Sequence, residues 1–147
     1  MRKLTLLVVV LLASLGMADL TPAEKAEVKS TLTVVENQAI AVFQGQAFQQ
    51  KYFLNCTFTG NGDFTFWHTC VFENCTFNLS FARAKFLWSY IEGGTMTKFE
   101  FKDSWLHGSN VPADNMDAKC KQKDKGQPYD KKKFTDHVKK VKDKKNK

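Results

Sequence analysis

Large apolar residues recur every five positions through the middle of the chain, and this spacing fits no ordinary element. An α-helix returns to one face every three to four residues, and a half-buried strand does so every second residue. A short fixed period instead predicts a repeat fold whose successive units stack on one another. Eight residues keep the period without a break: Phe81, Phe86, Ile91, Met96, Phe101, Leu106, Val111 and Met116.

The same period extends upstream in two further blocks. Its phase shifts twice, at the Gly-rich residues 60–63 and at residues 78–80. A small residue usually stands two positions before the large one, so the unit reads small, any, large, any, any. The upstream large residues are Phe43, Phe48, Phe53, Phe58, Trp67, Phe72 and Phe77, and the small ones are Ala41, Cys56, Cys70, Cys75, Ala84, Ser89, Gly94, Ser104 and Ser109.

This unit resembles that of the pentapeptide-repeat family. The family implies a right-handed, four-sided β-helix with one repeat on each side, which would give about four coils here. The resemblance covers residues 41–116, about half of the chain, and departs from the family at Leu79 and Phe99, which stand at small positions. The alternative fold is an ordinary antiparallel β domain rich in aromatic residues. The units that carry the resemblance best are Cys75-Thr76-Phe77, Ala84-Lys85-Phe86, Ser89-Tyr90-Ile91 and Ser109-Asn110-Val111.

If four repeats make one coil, every fourth large residue should stack in the core above its equivalent. Only Asp63, in the Gly-rich shift, would place a polar residue in such a column. The four predicted columns are Phe48, Trp67, Phe86 and Leu106; Phe53, Phe72, Ile91 and Val111; Phe58, Phe77, Met96 and Met116; and Phe43, Asp63, Phe81 and Phe101.

The four cysteines are candidates for disulfide bonds. Cys56 and Cys75 are four repeats apart at the small inward position, so we expect their Cα atoms about 4.8 Å apart, one strand spacing, which a disulfide tolerates. Pairing of Cys70 with Cys120 would then tie the tail to the repeats. The alternative is that cysteine serves only as a small core residue. Neither the cysteines nor the histidines show zinc-ligand spacing, so we expect no metal or other cofactor.

The amino-terminal 40 residues predict export and a helical cap. Residues 1–18, MRKLTLLVVVLLASLGMA, combine a basic start, an apolar run and a small-residue cleavage site, as in a secretory signal peptide cut after about Ala18. We therefore expect a secreted or periplasmic protein without a transmembrane span. Within residues 19–40, Thr21 and Glu24 predict a capping box, with a short helix from Pro22 to about Ser30 that covers the first coil.

Charge divides the chain at residue 116. Residues 117–147 hold 13 of the 22 basic residues against five Asp, whereas residues 19–116 hold seven basic and ten acidic residues. The stretch reads as a Lys-rich tail with a short helix over residues 131–143, capped by Asp130, with an apolar stripe of Phe134, Val138 and Val141. Its candidate polyanion-binding residues are Lys131, Lys132, Lys133, Lys139, Lys140, Lys142, Lys144 and Lys145.

One outward face of the repeats is a candidate binding site for a protein partner. The neighbours of inward Trp67, Phe86 and Leu106 should point outward, and several of them are aromatic, which is typical of partner sites. The alternative is that the tail or the amino-terminal segment covers this face. The candidate residues are Phe66, His68, Lys85, Leu87, Trp88, Trp105 and His107.

No nucleophile, phosphate loop or paired Cys and His stands in a catalytic context. The sequence therefore predicts an exported, non-catalytic interaction protein that binds a protein through an outer face. The alternative is a cationic binder of polyanions, anionic membranes or cell-surface material, whose tail would bind such material weakly and without sequence readout. Two further alternatives are a small carbohydrate-active enzyme and an ice-binding protein, the latter suggested by rows of Thr such as Thr57, Thr76 and Thr95.

Overall fold

The structure, a computed structural model, describes residues 19–122 and 129–147, with the side chains at positions 113, 121 and 122 left out of the description. The predicted signal peptide and part of the predicted tail segment lie outside these residues. The elements are helices α1 (Pro22–Thr31) and α2 (Lys131–Lys145), a 3-10 turn (Ala113–Asn115), and strands β1 (Thr33–Glu36), β2 (Ala39–Val42), β3 (Ala47–Gln49), β4 (Lys51–Leu54), β5 (Thr57–Gly60), β6 (Phe66–His68), β7 (Val71–Glu73), β8 (Thr76–Ala82), β9 (Lys85–Leu87), β10 (Tyr90–Glu92), β11 (Thr95–Lys102), β12 (Trp105–His107) and β13 (Lys121–Gln122).

All strands pair in parallel and form a solenoid of about four coils. Sheet A contains β1, β4, β7 and β10; sheet B contains β2, β5, β8 and β11; sheet C contains β3, β6, β9, β12 and β13. Each coil contributes one strand to each sheet, so the pairs Phe53–Phe72 and Phe81–Phe101 join successive coils. The predicted mainly β repeat fold is thus confirmed. The right-handed sense of the coil and its four sides stay predictions.

The coil begins at Thr33, inside the segment that the sequence assigned to the cap. Successive strands meet at corners where one residue adopts a positive φ, as at Asn55 and Asn74. Asparagine is one of the few non-glycine residues that tolerate this conformation. The two side chains stack in register, and Asn74 donates from Nδ2 to Oδ1 of Asn55 at 2.7 Å. Each corner therefore repeats in every coil, which keeps the sheets in register.

The column of Phe48, Trp67, Phe86 and Leu106 is confirmed. Parallel in-register strands place the same inward position of each coil directly above the last, and these residues pair in that order. The rings of Phe48 and Trp67 stack at 4.2 Å between centroids. Trp67 and Phe86 are completely buried. The aromatic ladder is therefore the main core of the molecule.

The column through Phe77 departs from the prediction at its lower end. Met96 does pair with Phe77, but a register shift between Met96 and Lys98 turns the strand, and 39% of Met96 is exposed. Phe99 takes the inward place, with its ring 4.6 Å from that of Phe77. Met116 belongs to another column, because it bridges Phe101. Met96 therefore keeps its predicted register but not its predicted burial, because the bulge follows it directly. The assignment of Met116 to this column was wrong.

The column of Phe43, Asp63, Phe81 and Phe101 is correct only in its lower half. Phe81 and Phe101 stack at 4.5 Å between ring centroids. Asp63 instead uses its side chain to accept a hydrogen bond from the backbone N–H of Ala82. Phe43 is 69% exposed, so its placement in the core was wrong. The chain turns sharply just after it, which carries the ring out of the coil.

Helix α1 has the predicted start but lies in a different place. Thr21 and Glu24 form the capping box, each side chain bonded to the other's backbone N–H. The helix runs along the outer face of sheet A: Lys25 bonds to Glu73 and Glu92, at 3.5 and 3.3 Å, which lie in the third and fourth coils. The helix covers the side of the solenoid and not the open end of the first coil.

Helix α2 covers the same side, next to α1. Asp130 caps it as predicted, accepting from the backbone N–H of Lys133, and the helix is two residues longer than expected. Its apolar stripe is buried against sheet A, which carries Tyr52, Val71 and Tyr90 on its outer face. The tail is therefore a structural element. The second core comprises Leu20, Val28, Leu32, Tyr52, Val71, Tyr90, Phe134 and Val138.

All four cysteines are free thiols, so the predicted Cys56–Cys75 and Cys70–Cys120 disulfides were wrong. Each Sγ atom points toward a carbonyl of the preceding coil, as Cys56 does to Val35 at 3.3 Å and Cys75 does to Phe53 at 3.4 Å. Stacked cysteines therefore orient their Sγ atoms in the same direction instead of toward each other. The hydroxyl of Ser109 makes the equivalent bond to the carbonyl of Phe86. Where the small position holds Cys or Ser, its side chain can donate to a carbonyl of the preceding coil.

Neither helix of the described chain is long and apolar enough to cross a membrane.

Candidate partner-binding face

The outer face of sheet C brings together six of the seven candidate partner-binding residues. Strand pairing places them in two rows that run across β6, β9 and β12. One row is Phe66, Lys85 and Trp105, and the other is His68, Leu87 and His107. We call these six residues the aromatic face. Trp88, the seventh candidate, lies at the corner between sheets C and A.

Trp105 is the most exposed aromatic side chain of this face, at 39%. The ammonium group of Lys85 lies 5.6 Å from the centre of its ring, which is a cation–π distance. Phe66 and Leu87 are half-buried. A shallow cleft of about 180 Å³ adjoins Trp105. Its lining combines three cations with one carboxylate: Arg83, Ala84, Lys85, Asp103, Ser104, Trp105 and Lys119.

The sequence analysis missed two residues at the adjacent corner. Phe64 is 49% exposed, and the guanidinium of Arg83 lies 5.5 Å from its ring centre. Both residues have positive φ, 59° and 53°. A positive φ is a regular feature of the corners of this solenoid, as at Asn55 and Asn74, so here it marks only a corner. The Gly-rich shift at residues 60–63 obscured the register, so the five-residue pattern could not place Phe64.

Helix α2 covers the corner at Trp88. The imidazole of His137 stacks on the indole at 4.9 Å and 10° between planes. Trp88 also has a positive φ of 50°, and Gly108 lies against its ring, so a Cβ atom there would come within 2.6 Å of the indole. Glycine at 108 therefore makes room for the ring. One face of Trp88 is occupied by this chain's own helix.

The three histidines of the chain gather at that corner. Thr69 Oγ1 and His137 Nε2 are hydrogen-bonded at 2.8 Å, and the rings of His68 and His137 meet edge to face at 5.5 Å. Burial, followed by the charges of neighbouring His and Lys residues, lowers the pKa of His137 to about 4. Burial also lowers the pKa of His68. These shifts favour neutral imidazoles, which suit packing of α2 on the solenoid.

The three sheets differ in what lies over them. The apolar outer face of sheet A is covered by α1 and α2, and Tyr52 and Tyr90 are almost completely buried. No helix of the described chain packs across the aromatic face of sheet C, since α2 reaches only its margin through His137. This face therefore presents aromatic side chains that the described part of the fold leaves uncovered.

Sheet B presents a flat polar face. Thr57, Thr76 and Thr95 stand in one row, as the sequence indicated. The second row reads Thr59, Asn78 and Lys98, because the bulge at Met96 removes Thr97 from register. The two parallel rows of Thr that suggested ice binding are thus reduced to one.

The candidate polyanion-binding lysines divide into two groups. Four have partners within the fold: Lys131 with Glu24, Lys142 with Glu27, Lys132 with Asp136, and Lys145 with the carbonyl of Thr31. The outward side of α2 also carries exposed lysines at positions 139, 140 and 144, and Lys133 is exposed near its start. The net charge of residues 129–147, from nine Lys and three Asp, remains strongly positive.

Two half-buried carboxylates, Glu73 and Glu92, serve the second core and do not suggest an acid–base pair. The hydroxyl of Tyr52 donates to Glu73, and that of Tyr90 donates to Glu92. Burial, followed by the interaction with Glu73, raises the pKa of Tyr52. Lys25 of α1 bonds to both carboxylates. Within residues 19–122 and 129–147, no three His, Cys, Asp or Glu side chains are arranged to hold a metal ion.

No protein-family model matches the chain, and no curated protein matches it either.

Proposed function

We propose that this chain is a non-catalytic interaction protein that binds a protein partner through the aromatic face of sheet C. The observation that carries the proposal is the contrast between two aromatic outer faces. On sheet A the fold itself covers Tyr52, Val71 and Tyr90 with two helices. On sheet C the described chain leaves Phe66 and Trp105 without such a cover. A second molecule bound to this face would bury these two side chains.

The chemistry of the face supports a protein ligand. Tryptophan and arginine are enriched among the residues that contribute most to protein–protein binding. Trp105 can bury its ring, while Lys85 and Arg83 beside it can pair with carboxylates of the partner. Such a site would gain most of its free energy from apolar burial, which responds weakly to salt. We expect a flat, largely rigid contact, because all three residues belong to strands or to the corner between them.

We also propose that the chain belongs to the pentapeptide-repeat family and is exported. The five-residue spacing and the parallel solenoid of about four coils support the family. The right-handed, four-sided form of the coil belongs to the same proposal. The basic and apolar character of residues 1–18 supports a signal peptide and a secreted or periplasmic location.

The test replaces the two outward aromatic residues of one row, Phe66→Ala with Trp105→Ala. The matched control is Thr57→Ala with Thr95→Ala, which changes two outward residues of sheet B. Partner capture from the extracytoplasmic fraction is measured at 0.5 M salt, and thermal melting checks the fold of each variant. We expect the sheet C variant to lose at least about 30-fold in affinity, as loss of a hot-spot residue costs about 2 kcal/mol. Equal capture by both variants would refute the proposed face.

Deletion of the tail would be a poorer test. Residues 131–145 supply Phe134 and Val138 to the second core. Their removal exposes the outer face of sheet A and creates a new apolar surface. Substitution on sheet C leaves that core intact.

A second candidate function is polyanion binding by α2. The specific observation is that the helix is ordered, with its apolar stripe buried and several lysines on its outward side. Salt should weaken such binding steeply, because each neutralised phosphate or sulfate releases counterions. Lys140→Ser with Lys144→Ser should reduce the salt slope of heparin binding by roughly two ions. Lys131→Ser with Lys142→Ser is the control, since these lysines pair with Glu24 and Glu27. Equal slopes for the two variants would contradict this function.

A further inference from the structure

The first coil ends the solenoid with three exposed strand edges. Sheets A, B and C terminate there at β1, β2 and β3 respectively. In β2, the carbonyls of Gln38 and Val42 accept bonds from the second coil. Since backbone groups alternate along a strand, the N–H and C=O groups of Ala39 and Ala41 point away from the solenoid. We call this surface the open end.

The opposite end of the solenoid is closed at every sheet. Asn110 binds both backbone groups of Ile91 in sheet A, at 2.7 and 2.8 Å. Asn115 donates to the carbonyl of Phe99 in sheet B at 2.7 Å. In sheet C, β13 pairs with β12. The carboxy-terminal end thus has a side-chain amide or a strand over each edge, whereas the open end has no equivalent cover in the described chain.

The open end also exposes the end of the aromatic core. Val35, Ile40 and Phe48 are only half-buried. The residues that pair with them in the second coil, Phe53, Phe58 and Trp67, are buried. Phe43, on the rim, is 69% exposed. An apolar core end flanked by unpaired edges is a template for strand addition.

The rim lacks the charges that usually protect such edges. Residues 33–50 contain no Lys, Arg or Pro, and their one acidic residue, Glu36, pairs with Lys29 at 3.7 Å. Residues 19–116 as a whole hold seven basic and ten acidic residues, so the rim is unusually poor in charge for this solenoid. The open ends of two copies therefore carry no charges that repel each other. The lack of charge makes this surface one where the chain can meet itself.

We propose that the open end is a homodimer interface, in which two copies meet end to end about a twofold axis. That symmetry brings like edges together in antiparallel pairing, so β2 can pair with its equivalent. Val35, Ile40 and Phe48 are buried at the centre. The closed opposite end prevents growth into a filament, so assembly stops at two copies. This inference is independent of the function proposed for sheet C.

A segment of the same chain would have to return to the open end from the fourth coil. The backbone N–H of Leu20 donates to the hydroxyl of Tyr90, which belongs to that coil, at 3.2 Å. Three coil steps of about 4.8 Å separate that position from the first coil. A second copy does not have to cross this distance. Its own open end has the same strand edges and the same lack of charge.

The interface is small, with 18 residues of the first coil on each side. Standard interfaces use about 20 to 30 residues on each side. We therefore expect a dissociation constant on the order of micromolar, so that the dimer forms reversibly as concentration rises. Sedimentation velocity over the micromolar range, on the chain from Asp19 and on the full chain, measures this equilibrium.

Two variants test the interface. Ala41→Pro removes an N–H group that points away from β5, so it should abolish dimerisation while leaving the bonds within the solenoid intact. Ala41→Thr is the matched control and should still dimerise. Ala39→Lys with Ala47→Lys adds charge to exposed rim positions and should also give a monomer. Melting temperature and circular dichroism confirm that each variant folds.

Each other outcome overturns the proposal. A chain from Asp19 that stays monomeric up to about 1 mM has no such interface. A dimer that persists in both the proline and the lysine variants is formed through another surface. If the chain from Asp19 dimerises but the full chain does not, residues 1–18 occupy the edge instead of a second copy.

Discussion

Acidification should loosen α2 from the solenoid, because His137 is held neutral at their junction. Its Nε2 atom is bonded to Thr69 Oγ1, and its ring is stacked on Trp88. The groups facing it are His68 and His107 on the aromatic face and Lys140 and Lys144 on its own helix. Protonation would place a further positive charge beside the two lysines.

The size of the stability loss follows from the pKa of His137. This pKa is 6.5 in the unfolded chain and is lowered to about 4 in the folded protein. The unfolded state therefore binds the proton more tightly, so the stabilisation is fully present above pH 6.5 and is lost as pH falls toward 4. Lowering the pKa from 6.5 to about 4 corresponds to at most about 3.4 kcal/mol of stability. Partial exposure of the ring reduces this to roughly 2 kcal/mol.

The assay is chemical denaturation at pH 7.5, 6, 5 and 4, followed by circular dichroism. His137→Gln retains a side chain that can bond to Thr69 but cannot take up the proton, so its free energy of unfolding should fall less over this range. His107→Gln is the control and should keep most of the wild-type dependence, because burial is the main cause of the lowered His137 pKa and the bond from His137 to Thr69 remains. Identical pH curves for His137→Gln and the wild-type protein would refute the reasoning.

Three further predictions concern the solenoid itself, each measured by denaturant unfolding. Phe86→Asp places an unpaired charge next to Trp67 and should cost at least about 4 kcal/mol, far more than Phe86→Leu. Equal stability of the two variants would contradict the stacking of Phe86 on Trp67. Cys56→Ser should cost no more than about 1 kcal/mol, because the hydroxyl of Ser109 makes the same contact with a carbonyl in another coil. A large loss of stability, or a wild-type protein that reductant destabilises, would count against free thiols. Gly94→Ala brings a Cβ atom within 2.0 Å of a backbone oxygen at a φ of 85° and should cost more than about 3 kcal/mol. Gly45→Ala is the control: its φ is 80° but nothing lies within 4 Å, so it should cost only about 1 kcal/mol. Equal losses of stability would show that the close contact at Gly94 relaxes.

The five-residue period was sufficient to place the interior of most coils. Stacking follows directly from a fixed number of residues per coil, so Phe48, Trp67, Phe86 and Leu106 could be aligned from spacing alone. The period could not reveal the bulge after Met96, because a bulge alters register without altering residue type. It also gave Phe43 an inward position that the first coil does not provide.

The position of α2 could not be read from the repeat pattern. Its buried stripe was visible, but the surface that receives it lies on another part of the chain. A signal did exist: Tyr52, Val71 and Tyr90 are outward, apolar and one coil apart. An apolar ladder on an outer face requires a cover, and the Lys-rich segment is the amphipathic helix that supplies it. The disulfide prediction failed because distance between Cα atoms says nothing about the direction of the thiols.

The packing of α1 and α2 side by side on sheet A has a consequence for the order in which the chain folds. Contacts within the solenoid close loops of one coil, such as the 19 residues between Asn55 and Asn74, whereas the bond from Lys145 to the carbonyl of Thr31 spans 114 positions. Short loops close at lower entropic cost, so coils can form one after another as the chain emerges. Helix α1, by contrast, cannot complete its packing until α2 has been synthesised. Until then the outer face of sheet A in the nascent protein stays partly uncovered.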